Sequence, residues 1–95
     1  MDMEQETTIA YTDEVFNAIF SANLMLIRKS RKMTQTELAK RIGLSRNSVV
    51  QWECAKRHPD IVVIMNIALA LGVSVRDLVR ERTSEKDRKE CGIDG

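Results

Sequence analysis

The stretch from Thr34 to Glu53, TQTELAKRIGLSRNSVVQWE, restricts the fold more than any other part of the chain. It reads as two short helices joined by a tight turn. Thr34 and Glu37 have the spacing of a capping box, in which the hydroxyl accepts from an orphan amide and the carboxylate reaches back. Leu38, Ala39 and Ile42 then recur at helical spacing. Gly43 follows where the helix must stop and the chain must bend. Ser45 is a second N-cap residue, and Val49 and Trp52 share one face of the helix it opens. Leu38, Ala39, Ile42, Leu44, Val49 and Trp52 are therefore expected in the core, holding the second helix against the first. Arg46, Asn47 and Gln51 point elsewhere.

The flanking sequence supplies three more helices. Thr12 suits an N-cap, Asp13 and Glu14 complement the helix dipole, and Tyr11 can staple onto Phe16. Phe16, Phe20, Leu24 and Ile27 form one apolar stripe, so helix 1 is predicted from Thr12 to near Arg31. Helix 2 is predicted over Gln35–Ile42 and helix 3 over Arg46–Cys54, followed by a basic loop, Ala55–His58. Pro59 disfavours a helical His58. Asp60 can cap helix 4, Ile61–Leu71, which stops at Gly72. Ser74, with Asp77 three residues on, opens a short helix 5 through Val79. Residues 1–11 read as a flexible acidic arm and 82–95 as a charged, frayed tail. The remaining 12–81 make one small domain.

Charge is segregated along the chain. Residues 1–23 carry five acidic side chains and no Lys or Arg, a net of −5. Residues 24–58 carry nine Lys/Arg against Glu37 and Glu53, a net of +7, and residues 59–95 net −1. The positive charge thus coincides with the two-helix segment. Apolar stretches are short and broken by charge, so no membrane span is expected. No basic region followed by an apolar run begins the chain, which leaves the cytoplasm as the expected setting. Cys54 and Cys91 are far apart and lack metal-ligand spacing, and His58 is the only histidine, so neither metal nor cofactor is expected. Both cysteines read as structural or inert in a reducing cytosol. No paired His and Cys, Gly-rich phosphate loop or apolar carboxylate pair suggests an enzyme.

The outward residues of helix 3 have a specific chemistry. Arg can donate twice to guanine O6 and N7, and Asn or Gln can pair with adenine N6 and N7. Arg46, Asn47 and Gln51 are thus candidates for reading base edges in the major groove of double-stranded DNA.

The order and lengths of these helices, with the pattern Arg28, Thr34-Gln35, Glu37-Leu38-Ala39, Ile42-Gly43, Ser45, Val49, Trp52-Glu53, Lys56, Pro59, Ala68, Leu71-Gly72-Val73-Ser74 and Leu78, resemble the lambda-repressor-like helix-turn-helix family, the Cro/C1 or XRE type. The match covers roughly residues 20–80. The resemblance implies an all-α, compact five-helix DNA-binding domain with the helix-turn-helix at helices 2 and 3. It implies phosphate contacts from Thr34, Gln35, Ser45, Ser48, Lys56, Arg57 and His58, with Gln35 also bracing position 46. It further implies an ion pair between Arg28 and Glu53, buried or half-buried between helices 1 and 3. A bacterial or phage-encoded repressor, binding a two-fold operator as a homodimer, is the function that follows.

Two features depart from that pattern. Many relatives carry glycine where this chain has Ala55, and alanine in a left-handed turn costs about 1 kcal/mol. The expectation is that helix 3 ends differently and runs slightly longer, which puts the phosphate contact around Cys54–Lys56 in question. Helix 4 is also apolar nearly all round. Ile61, Ile64, Ile67, Ala68 and Leu71 suffice for a core face, and Val62, Met65 and Leu69 add a second stripe that needs a cover. Either the start of helix 1 (Val15, Phe16, Ile19) folds across it, or a second copy or another protein does. A second copy is the favoured cover. The competing function is an antitoxin or mobile-element regulator that binds a protein partner through this face. A third, an interaction module without DNA, conflicts with the basic segment.

Overall fold

Each helix begins where a side chain can satisfy the amides left open by the first turn. The computed structural model describes residues 8–82, in which five helices are found: α1 Asp13–Ser30, α2 Gln35–Ile42, α3 Arg46–Glu53, α4 Ile61–Leu71 and α5 Val75–Val79. Thr12, Thr34, Ser45, Asp60 and Ser74 are the N-caps, each accepting from the amide three residues on. At Thr34 and Ser74 the box is reciprocal: their own amides donate to Glu37 (2.8 Å) and Asp77 (3.0 Å). These amides hold both carboxyls below the usual carboxylate range.

Four helices end by one device. Lys32, Gly43, Ala55 and Gly72 adopt the left-handed region, with φ of 57°, 75°, 58° and 71°. In each case that residue's amide and the next one turn back onto carbonyls of the final turn. At α3, Ala55 N–H donates to Trp52 and Lys56 N–H to Gln51. This is the Schellman arrangement, in which glycine is the favoured left-handed residue. The structure corrects the sequence reading here: alanine does not lengthen α3 but takes the left-handed conformation, and the helix stops at Glu53.

α5 ends differently. Arg80 is extended, and the amide of Asn23, fully buried in α1, donates to the carbonyls of Leu78 (2.9 Å) and Arg80 (2.8 Å). The Asn23 carbonyl oxygen in turn accepts from Arg82. At the end of α4, which has no basic residue in its last turn, Arg31 donates from α1 to the Leu71 carbonyl at 2.9 Å.

The core gathers Phe20, Leu24 and Ile27 from α1, Leu38 and Ala39 from α2, Val49 and Trp52 from α3, four residues of α4 and Leu78 of α5. α1 packs on α3 and α5, while α2 packs on α3 and α4. Two expected core residues lie outside it. Leu44 is 42% exposed at the α2–α3 turn, and Ile61 is exposed at the start of α4. Ile42 is half-buried against the cluster. Nor does the start of α1 cover α4, because Val62, Met65 and Leu69 all remain exposed. Tyr11 is exposed as well, and its hydroxyl donates to Glu81 at 3.0 Å. Cys54, read as structural or inert, is disulfide-bonded, and Cys91 lies outside the described residues. The arm at 1–7 and the tail at 83–95 also lie outside them.

Candidate nucleic-acid interface

One face of α3 is fixed and the other is free. Val49 is fully buried and Trp52 nearly so, and both join the core. Glu53, 2% exposed, closes the helix against α1 and α2. Its Oε2 accepts from Arg28 Nε at 2.7 Å. Its Oε1 accepts from Arg28 Nη2 and from Gln35 Nε2, both at 3.0 Å. Arg28, 6% exposed, also donates from Nη1 to the Met33 carbonyl at 2.7 Å. The two charges are removed from water together and their hydrogen-bonding groups are largely satisfied, the condition under which a buried pair is tolerated. Four points in α1, the α1–α2 turn, α2 and α3 are thereby tied in one network. Gln35 enters it as a donor to Glu53, where the sequence reading had it bracing position 46.

The outward face carries Arg46 and Asn47, both exposed, and Gln51, half-buried. Among the described residues these three side chains make no hydrogen bond or ion pair. Arg46 and Asn47 occupy the first turn, just beyond the Ser45 cap, and no acidic residue stands in that turn. The open amides and positive dipole end of α3 thus face solvent beside Arg46. Ser48 donates its amide to Ser45 Oγ, and the two hydroxyls lie 3.2 Å apart. Thr34 caps α2 with an exposed hydroxyl that accepts from Glu37 N–H.

The loop after α3 divides its basic residues. Lys56 and Arg57 are exposed. His58 turns the other way. Its Nδ1 lies 2.9 Å from the Pro59 carbonyl and its Nε2 3.2 Å from Asp13 at the start of α1. Its ring meets Phe16 edge-on at 5.0 Å. The Pro59 carbonyl is the main cause of a raised imidazole pKa; partial burial opposes it and the Asp13 carboxylate adds to it. Both ring nitrogens are occupied within the molecule, and His58 thereby serves as a strut between the loop and α1. Asn23, Arg31 and the Gln35 link were not read from the sequence, because their partners are carbonyls and carboxylates distant in the chain with no spacing to mark them.

Of the exposed cations among the described residues, Lys40, Arg41, Arg46, Lys56 and Arg57 come from α2, α3 and the following loop, and Lys29, Arg31, Lys32, Arg76 and Arg80 from the end of α1, the turn after it and α5 with its end. A rigid helix face bearing amide and guanidinium groups, with no acidic residue in its first turn and rimmed by further cations, suits a groove lined with phosphates. Among the described residues no group of His, Cys, Asp or Glu could hold a metal ion, and no helix is long and apolar enough to cross a membrane.

Comparison with known proteins agrees with this geometry. Residues 24–78 match the helix-turn-helix family. A helix-turn-helix-type transcriptional regulator of Bacillus subtilis, YqaE, is 35% identical over 68 residues, covering 72% of this chain and 59% of the relative. The immunity repressor protein of Bacillus phage phi105 is 36% identical over 63 residues, covering 66% and 44% respectively. The chain therefore spans only about half the length of these relatives. Among solved structures, a hypothetical transcription factor from Neisseria, NHTF, superposes with a TM-score of 0.68 at 27% identity, covering 79% of this chain and 86% of that one.

Proposed function

The chain belongs to the helix-turn-helix family, Cro/C1 type, and from that premise we propose that it is a sequence-specific reader of double-stranded DNA that represses transcription, acting as a homodimer on a two-fold operator. One observation carries the reading. Arg46, Asn47 and Gln51 stand without internal partners on a helix whose opposite face is locked by Val49, Trp52 and the Arg28–Glu53–Gln35 network. A reader needs donors that are unsatisfied in the free protein and held in a fixed orientation.

Roles divide by position. Arg46 and Asn47, in the first turn of α3, face base edges, and Gln51 reads one turn further on. Thr34, Ser45, Ser48, Lys56 and Arg57 address phosphates and set the register, with the α2 and α3 amides assisting. Gln35 holds Glu53 with one amide hydrogen, and its second is left to donate to a phosphate. A repressor of this kind excludes polymerase by occupying the operator. The name of the phage immunity repressor supports that sense of regulation.

Two substitutions test the division. Arg46→Ala is expected to cost about 1–3 kcal/mol on the preferred site and to relax selectivity at one operator position. Equal weakening on every sequence would remove Arg46 from base reading. Lys56→Ala is expected to weaken all duplexes alike and to flatten the salt dependence by about one unit of slope. An unchanged slope would remove Lys56 from the phosphate contacts.

A further inference from the structure

Among the described residues, the helix that exposes most large apolar side chains is α4, on its outer face. Ile61 is 58% exposed, Val62 61%, Met65 56% and Leu69 81%. Val62, Met65 and Leu69 recur at spacings of three and four, Ile61 lies four residues before Met65, and together they form one stripe along a helix about 16 Å long. The helix sequence, IVVIMNIALAL, contains no ionisable residue, and its one polar residue on this face is Asn66. Asn66 and Leu69 also line a shallow groove with Arg41, Ile42 and Ala70.

We propose that this stripe is the surface through which two copies of the chain pair, α4 against α4 and antiparallel, with Leu69 of each copy opposite Val62 of the other. The inference rests on the reading of the protein as a homodimer and names its interface.

Charge selects the occupant. An acidic or basic partner would find nothing to answer its charge along the stripe, whereas a second copy brings one neutral surface to another and leaves no charge buried unpaired. A two-fold contact also requires a self-complementary patch. Asn66 meets that need, since an amide both donates and accepts and can pair with its own copy beside the axis.

Charge also selects the direction. A parallel pair would bring the two Asp60 caps together at one end and the two Arg41 side chains together at the other. The antiparallel pair separates each of these like charges and places Asp60 of one copy at the same end as Arg41 of the other. It also opposes the two helix dipoles. The span from Val62 to Leu69 has its midpoint between Met65 and Asn66, so an antiparallel pair centred there sets Val62 against Leu69 and directs it toward the neighbouring groove.

Area is consistent with a dimer of moderate strength. The four side chains expose several hundred Å², and Asn66, Ala70 and the Arg41 stem extend the patch toward the roughly 800 Å² that each partner of a standard interface buries. α4 packs chiefly on α2 and α5, and Arg46, Asn47 and Gln51 lie on another helix, so pairing through the outer face of α4 leaves them open.

Sedimentation of the full chain without DNA tests the interface independently of DNA reading. The wild type is expected to dimerise with rising concentration. Val62→Glu and Leu69→Lys are each placed to suit the helix dipole, so their thermal melts should show folded protein. Each alone is expected to raise the dimer dissociation constant at least ~10-fold. An equimolar mixture of the two is expected to recover most of the loss, because the antiparallel register sets the new carboxylate against the new ammonium. A mixture no stronger than the single variants overturns the register, since a parallel pair never brings these positions together. A wild type that stays monomeric throughout overturns the second copy as occupant. Either result leaves the DNA-binding reading to its own test.

Discussion

Ala55 shows what a single residue can be made to do. Its backbone lies at φ 58°, a region where a Cβ crowds the following carbonyl at a cost of roughly 1–2 kcal/mol. The surroundings impose it. Glu53, two residues earlier, is held by Arg28 and Gln35, and His58, three residues later, is held by Pro59 and Asp13. Between those anchors the chain must reverse in one turn. Ala55→Gly is therefore expected to stabilise the domain by about 0.5–1 kcal/mol, the strain relieved less the added freedom of the unfolded chain. Denaturant melts check it, and a destabilised variant would show that the left-handed turn is not strained. Glu53 presents the opposite case. Glu53→Ala leaves Arg28 buried without its partner and is expected to cost about 3–5 kcal/mol. Removing both charges, as in Arg28→Met with Glu53→Leu, is expected to cost much less than the two single losses combined, because no charge is left stranded. Additive losses in that cycle would deny the coupling.

At the scale of elements, the five starts and the glycine stops were legible because capping is local: donor and acceptor lie three residues apart, so spacing in the sequence is distance in space. The end of α3 was not, since the forces on Ala55 arrive from α1. Asn23 could not be found for the same reason, its carbonyl partners being 55 and 57 residues away. Periodicity placed Leu44 and Ile61 among the apolar residues correctly, but it cannot say which apolar positions find a neighbour, and both remain exposed. The basic run Lys56–His58 looked uniform, and only the fold separates His58 from the two outward cations. That separation has a consequence for pH. A histidine whose pKa is raised on folding adds stability that is fully present below the free imidazole value, about 6.5, and is lost as pH rises through the folded value. Melting temperatures of wild type and His58→Ala are expected to differ most below the free imidazole value, and the gap to narrow as pH rises through the folded value. A gap independent of pH would mean that the proton on His58 plays no part in joining the loop to α1.

Across the whole molecule the two proposed working surfaces lie on different elements. α3 and its loop carry the unpaired donors and cations, and α4 carries the apolar stripe. The Arg28–Glu53–Gln35 network joins α1, α2 and α3 and holds the reading face against the core. The charge segregation seen in the sequence survives folding, because the segment rich in Lys and Arg supplies α2, α3 and the loop. Selection of preferred sites from a random duplex pool, with affinity followed over salt concentration, tests the central claim most directly. The expected result is a two-fold motif bound far more tightly than random sequence, with a salt slope set by its phosphate contacts. Recovery of no motif, with only weak and strongly salt-dependent binding, would contradict sequence reading by α3.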